Sequence, residues 1–572
     1  MGFSQYIALL LSLSLSSVGE ATSRCRCLYG QPCWPSDSAF SALATQLTQP
    51  LIHPVPPASA CYPPSSPSGN CSDVIAHNVD EIWRADQAGA LQNTNFESFV
   101  FPNGTVDACY LNVALGFPCE QGSVPPIGVD ARSAGDIQAA VKFAKRNNLR
   151  LVVKNTGHDY LGRSAGRGGF MVWTHNLKDK VYNPSFVPEG APANAKETFN
   201  AVTFGAGVQW IEAYSFVQQQ GRFIVGGISL GGSVGSAGGW VMGAGHSAFA
   251  PSFGLGVDNV LQFTIVLANG QYITANAHQH PDLFWALRGG GGGTYGIVVS
   301  ATYKTHPIFP VTMFALVANF TAPNIAQEVV TEFVKLHPAI SDAGWGGYTG
   351  ISNTNFQTLF VRPNTSEADA NSTFSHLLGV AYNATGGSIQ TATLTYPTFL
   401  DWYTTWFSSV GQVGSRVEIA SRLLPHSFAS QNPATAAKIM LSIDGGVATN
   451  SVAGGAVSRV DPSSTGLNPS WRNAIAQVYV TAFWPEGSSA TTIQAAIDRL
   501  KKNTDVIDKL TTDSGSYLNE GSLHEHDFKK SFFGAHYSKL KDIKAKYDPS
   551  SLFVVALGVG SDDWDQNLQC LR

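Results

Sequence analysis

Apolar and polar positions change their pattern several times along the chain. Ile7 to Val18 (IALLLSLSLSSV) is one short unbroken apolar run. Residues 22–75 lose that regularity and are rich in Pro, Ser and Cys, which reads as an irregular leader. Order returns from about Val129. Between Ser133 and Asn147, Ile137, Ala140, Val141 and Ala144 recur at helical spacing behind a Ser cap, which predicts a helix. Leu149 to Val153 reads as a short strand that runs into the loop Asn155-Thr-Gly-His158-Asp-Tyr-Leu-Gly162. Val260 to Leu267 and Gln271 to Thr274 flank Ala268-Asn269-Gly270 and predict a β-hairpin.

Glycine interrupts these elements at unusual density. One cluster lies between Gly226 and Gly256, and another is Arg288-GGGGGTYG-Ile297. Such density costs chain entropy. It serves either close backbone approach to a flat or anionic ligand, or simply strand turns and bulges. Gly291-x-Gly293-x-x-Gly296 matches the dinucleotide fingerprint of Rossmann folds, but that motif must open a helix. Here Ile297 to Tyr303 is β-branched and alternates like a strand, and no acidic residue follows at the ribose-binding distance. The Rossmann reading fails.

Composition narrows the class. The 572 residues are 44% hydrophobic and 13% charged with a net charge of −5, so the chain is a large globular protein without a basic track for nucleic acid. The Ile7–Val18 run, followed by Gly19 and Ala21, has the length of a signal peptide and is too short to span a bilayer; the positive charge usual before such a run is missing. Seven of the eight cysteines fall before residue 120 and the eighth is Cys570. In an oxidising compartment that pattern reads as an N-terminal staple plus a bridge to the tail, with pairing left open. Six N-x-S/T sequons, at Asn70, Asn103, Asn319, Asn364, Asn371 and Asn383, suit a secreted glycoprotein. No HExxH or paired Cys-x-x-Cys motif supports metal hydrolysis.

The glycine-rich strings carry a resemblance. Val152-Val-Lys-Asn-Thr-Gly-His158-Asp-Tyr-Leu-Gly162-Arg-Ser resembles the pyrophosphate loop of the vanillyl-alcohol-oxidase/PCMH superfamily, in its berberine-bridge-like branch. Gly289-Gly-Gly-Gly-Gly-Thr-Tyr-Gly-Ile-Val298 resembles a second flavin-contacting stretch of that family. Tyr517-Leu-Asn519-Glu520, Phe533-Gly534 and Lys544-x-Lys546-Tyr-Asp548-Pro549 resemble its C-terminal signature. The string as a whole, including Gly558-Val-Gly560-Ser-Asp-Asp-Trp564, is similar to fungal isoamyl-alcohol-oxidase-like proteins. The resemblance implies an α+β fold: a PCMH-type FAD-binding domain built from both chain ends, with an inserted α+β substrate domain carrying an antiparallel sheet. The expected division is 1–21 signal peptide, 22–120 Cys-rich segment, 121–306 FAD-binding domain, 307–505 substrate domain and 506–572 C-terminal segment returning to the FAD domain.

The same resemblance assigns the chemistry. His158 is the residue that would bond the 8α carbon of FAD, since a neutral imidazole is a competent nucleophile, and Asp159 beside it is expected to hold the ring's tautomer. Further flavin contacts fall on Asn155, Thr156, Gly157 and Gly162, on Ser233, Gly235 and Gly238, on Gly292, Gly293 and Ile297, and on Asn519. Many relatives add a cysteinyl link to flavin C6, but no cysteine lies between Cys119 and Cys570. A single link is therefore expected. Several relatives use the last tyrosine of Tyr-x-Asn-Tyr as base; here Glu520 holds that place, and a desolvated carboxylate suits the role. Tyr517 is its expected companion.

His246 reads as a hydrogen-bonded structural histidine, Arg422 and Glu418 as solvated surface charges, and Trp471-Arg472 as a helix start. The resulting expectation is a monomeric secreted oxidase that passes hydride from an alcohol, sugar or specialised metabolite to FAD and then to O₂. The alternatives are an O₂-shy dehydrogenase or oxidative cyclase, or a non-catalytic binding protein that keeps the fold.

Overall fold

The computed structural model describes residues 25–62, 70–194, 196–511 and 514–572. The expected signal run lies outside them. The predicted helix forms as Ala134–Arg146, with the Ser133 side chain accepting from the Asp136 N–H. The predicted hairpin forms from Val260–Val266 and Tyr272–Asn276.

Three sheets organise the chain. Strands Ile127–Asp130, Phe170–Trp173 and Leu151–Lys154 run parallel in a small four-stranded sheet. An antiparallel sheet of five strands follows, centred on Ile297–Lys304. Ile297 is therefore the start of a strand, as its β-branched neighbours require. Between Val311 and Phe483 lies a seven-stranded sheet, antiparallel throughout.

The pleat of this large sheet decides what its two faces do. Successive side chains on a strand point to opposite faces. On Val311–Asn319, Phe314, Leu316 and Ala318 enter a core with Val329, Val330 and Phe333 of helix Pro323–Asp342 and Phe374 of helix Glu367–Ala384. Phe314 and Phe374 stack with centroids 4.0 Å apart. Each such buried aromatic contributes about 2 kcal/mol from desolvation. The intervening Ala315 and Val317 point the other way and line a cavity shared with the glycine-rich loops.

Four disulfides pair Cys25–Cys570, Cys27–Cys33, Cys61–Cys71 and Cys109–Cys119. The first fastens the tail to the leader, as the cysteine distribution suggested. Helix Tyr537–Tyr547 ends before Asp548-Pro549, and Lys544 makes a buried ion pair with Asp548 while donating to Thr294 O and Phe553 O, both at 2.7 Å. The C-terminal segment is thereby pinned to the Gly292–Thr294 turn.

Two sequence expectations change here. Arg422 is buried and pairs with Asp508 and with Glu525 (2.6 Å), and Glu418 is buried against His524 at 2.9 Å, so neither is a solvated surface charge. Both lie on strand Val417–Pro425, which is covered on both faces, so its charges must find partners inside. Trp471-Arg472 lies in a short 3₁₀ turn, Pro469–Asn473, in which Arg472 is held by Asp258 through two 2.8 Å bonds. No helix among the described residues is long and apolar enough to cross a membrane. All six sequon asparagines are exposed.

Candidate active site

A cavity of about 750 Å³ lies between the loop after strand Leu151–Lys154, the segment 227–246, the open face of the large sheet and the turn Leu518–Glu520. It brings together Asn155, Thr156, Gly157, His158, Asp159, Gly235, Tyr517, Asn519 and Glu520, residues separated by up to 365 positions.

His158 is partly buried, and its Nε2 lies 2.6 Å from Ser233 Oγ. Burial holds its pKa down at about 4, so the imidazole is neutral at physiological pH. Ser233 itself is fully buried behind the imidazole. Asp159 does not touch the ring. Its carboxylate takes bidentate bonds from Arg163, with Nε at 2.8 Å and Nη2 at 2.6 Å, so Ser233 replaces it as the group that orients the imidazole. The reason is geometric: Arg163, four residues on, offers a planar fork that a carboxylate prefers.

The backbone around this loop suits a bulky anionic guest. Gly157 and Gly162 adopt left-handed φ of 86° and 66°, open to glycine at low cost. A Cβ on Gly235 would fall 2.2 Å from Asn155 Nδ2. Asn155 Oδ1, Arg163 Nη1 and Thr294 Oγ1 are buried with no hydrogen-bond partner among the described residues. Buried polar atoms left in this way cost free energy until a partner arrives. Gly162, Ser233, Gly238, Gly292, Gly293 and Ile297 do not line the cavity. Gly292 backs Gly239, Gly293 packs near Val555, and Ile297 belongs to the hydrophobic core.

Glu520 also lines the cavity. Its Oε1 lies 3.0 Å from His246 Nε2, and its Oε2 accepts from Gln477 Nε2 at 2.8 Å. Gln477 Oε1 in turn accepts from Asn450 Nδ2 at 3.1 Å. His246 is hydrogen-bonded, as expected, but its partner is the candidate base. Tyr160, Tyr348, Tyr479 and Tyr517 also line the cavity. Burial first, and then the nearby Glu520 charge, pushes the Tyr479 phenol up to about 12 and raises the other three further. All four phenols stay protonated at any physiological pH, so each keeps a proton that it can donate. Asn519 crosslinks the walls: its Nδ2 donates to Gly239 O at 3.0 Å and to Tyr517 Oη at 2.9 Å, and its Oδ1 accepts from Arg163 Nη2 at 3.0 Å.

Sequence reasoning missed Tyr348, Asn450, Gln477 and Tyr479. Their signal was period-2 alternation in strands of the large sheet, visible only once those strands are paired. Tyr348 faces Asn450 and Asn450 faces Gln477 in register.

The cavity thus joins a glycine-lined loop, a neutral histidine and a carboxylate against the open face of a large antiparallel sheet. The comparisons make the class specific. Residues 125–276 match the family described as FAD binding domain, and residues 516–560 match the one described as berberine and berberine like. An uncharacterized FAD-linked oxidoreductase of Arthroderma benhamiae is 35% identical over 94% of both chains. Two VAO-type flavoproteins of Myceliophthora thermophila C1 superpose with TM-scores of 0.85 and 0.83. Their identities are 27% and 28%, covering 96% and 95% of this chain and 100% and 98% of theirs. The chain belongs to the FAD-linked oxidoreductases of the VAO type, in the berberine-bridge-like branch, which sets aside the reading as a non-catalytic binding protein. Its fold is the expected α+β PCMH-type arrangement.

Proposed function

We propose that the protein is a secreted, N-glycosylated, monomeric oxidase that converts an alcohol, sugar or specialised metabolite to its carbonyl while reducing O₂ to H₂O₂. The observation that carries this reading is the Glu520 carboxylate, held by His246 and Gln477 in the same cavity as the neutral His158. FAD, when bound, supplies the hydride acceptor, and the cradle of Asn155, Thr156, Gly157 and Gly235 suits it. Asn519, Gly162 and the Gly292–Gly293 turn brace that cradle, and Gly238 stands at the start of the helix that closes it. His158 is the residue for a single covalent link. In the interval between Cys119 and Cys570 there is no cysteine for a second.

Among the described residues lining the cavity only Asp159 and Glu520 are carboxylates, and Arg163 occupies Asp159. Glu520 is therefore the group that takes the substrate hydroxyl proton. Tyr517 and Tyr479, which keep their protons, orient the substrate oxygen. His246 holds the carboxylate in place through its Nε2. The apolar face formed by Ala315, Val317 and Leu359 excludes water from the reacting carbon.

Glu520→Gln preserves size and the Gln477 contact while removing the base. It is expected to lower kcat by roughly 10²- to 10⁴-fold with flavin content unchanged, measured as substrate-dependent H₂O₂ release. Near-normal kcat in that variant contradicts Glu520 as base. Dye reduction without H₂O₂ would instead assign the protein to the dehydrogenase alternative.

A further inference from the structure

A second chamber, of about 310 Å³, lies on the outer side of the 155–166 loop, between the disulfide-rich N-terminal segment, helix Ala490–Ile507 and the C-terminal tail. Its volume falls in the lower part of the range of small-molecule sites. Three of its wall residues are arginines, Arg150, Arg167 and Arg416, and aromatic rings from Phe99, Tyr110 and Trp484 face the same space. Nothing in the oxidation chemistry above uses any of them.

The arginines are less committed than their surroundings suggest. Arg167 Nη2 reaches Asp107 only at 3.5 Å, and Arg416 Nη1 reaches Glu486 only at 3.5 Å, both at the limit of a useful hydrogen bond. The carboxylates in question are already engaged. Asp107 accepts from the Gly122 N–H at 2.7 Å, and Glu486 accepts from the Leu111 and Asn112 N–H groups at 2.7 and 3.0 Å. Glu418, also in the wall, is held by His524.

Arg167 Nε is buried with no partner among the described residues. The Arg150 guanidinium lies against Gly166, where an added Cβ would sit 3.0 Å from its Nε. Burial holds Arg150 below the ordinary arginine value, and the Asp565 charge opposes this only in part. Meanwhile Arg167 lies 5.4 Å over Phe99, and Arg416 lies 5.1 Å over Tyr110. Both guanidinium groups thus sit over aromatic rings, while the Arg167 Nε–H remains to be satisfied.

We propose that this chamber is a second ligand site, separate from the flavin cavity, for a small aromatic carboxylate. Its ring would stack among Phe99, Tyr110 and Trp484, and its carboxylate would complete Arg150 and Arg167. A planar acid answers both features at once: the guanidinium forks match a carboxylate, and the rings match an arene.

The test uses the holoprotein and isothermal titration with naphthalene-2-carboxylate, with naphthalene-2-carboxamide as the neutral control. One saturable site is expected, at least tenfold weaker for the amide. Arg150→Gln and Arg167→Gln should each weaken carboxylate binding at least tenfold. Because a buried arginine variant can misfold, Ile497→Glu supplies a second arm: it sets a negative charge on the half-buried helix face at the chamber wall and should give the same loss. Absence of binding, equal binding of acid and amide, or carboxylate binding indifferent to these substitutions would each overturn the proposal.

Discussion

At the scale of single residues, position and partner decide what each group can do. His158 and His246 are both histidines beside the cavity, yet one is braced by a hydroxyl and the other faces a carboxylate. That difference fits one for nucleophilic attachment and the other for steadying a charge. Glycine acts here by what it leaves out. At Gly235 a methyl group would collide with the Asn155 amide at 2.2 Å, while that amide also donates to Ala206 O. Gly235→Ala is expected to fold with a modest loss, about 1–3 kcal/mol, and to lose at least nine-tenths of its flavin. The ratio of flavin to protein absorbance in the purified variant checks this, and full loading would remove Gly235 from the cradle. His158, Gly235 and Glu520 were legible because each sits in a short string with a distinctive local pattern. Ser233 as the partner of His158 was not, since 75 positions separate them and the adjacent Asp159 offered a simpler local answer.

At the scale of elements, periodicity made some pieces readable and pairing hid others. Helix Ala134–Arg146 and the hairpin after Val260 followed from spacing and turn chemistry alone. The charges on strand Val417–Pro425 did not, because a strand buried on both faces gives no polar–apolar alternation to read. Helix Pro323–Asp342 carries a comparable hidden feature in His337, fully buried beneath the large sheet with Nε2 2.8 Å from Ser451 Oγ. Burial lowers its pKa to about 3. The unfolded chain takes up a proton near pH 6.5, whereas the folded state resists it until about pH 3. Stability is therefore intact above pH 6.5 and falls as pH drops toward 3, by several kcal/mol at most. His337→Gln should flatten the acid limb of stability against pH, measured by urea unfolding between pH 7 and roughly 4. An unchanged limb would show that other groups carry it.

At the scale of the whole molecule, the site exists only because distant segments are fastened together. The base candidate Glu520 and the attachment candidate His158 lie 362 positions apart, and Arg163–Asn519 joins their segments directly. Cys25–Cys570 and Lys544–Asp548 hold the returning tail in place. The two-part origin of this architecture was visible in the sequence as ordered motifs at both ends. The cavity's sheet-borne wall was not, because Tyr348, Asn450, Gln477 and Tyr479 become neighbours only when three strands align.

A flavin held through His158 is the proposal on which the chemistry of the cavity depends. The direct measurement is acid denaturation of the purified protein followed by peptide mass mapping, alongside His158→Ala. Flavin retained on the peptide containing His158, and released on denaturation of the variant, is the predicted result. Flavin that leaves the wild-type chain on denaturation, or that stays bound to the His158→Ala chain, would contradict it.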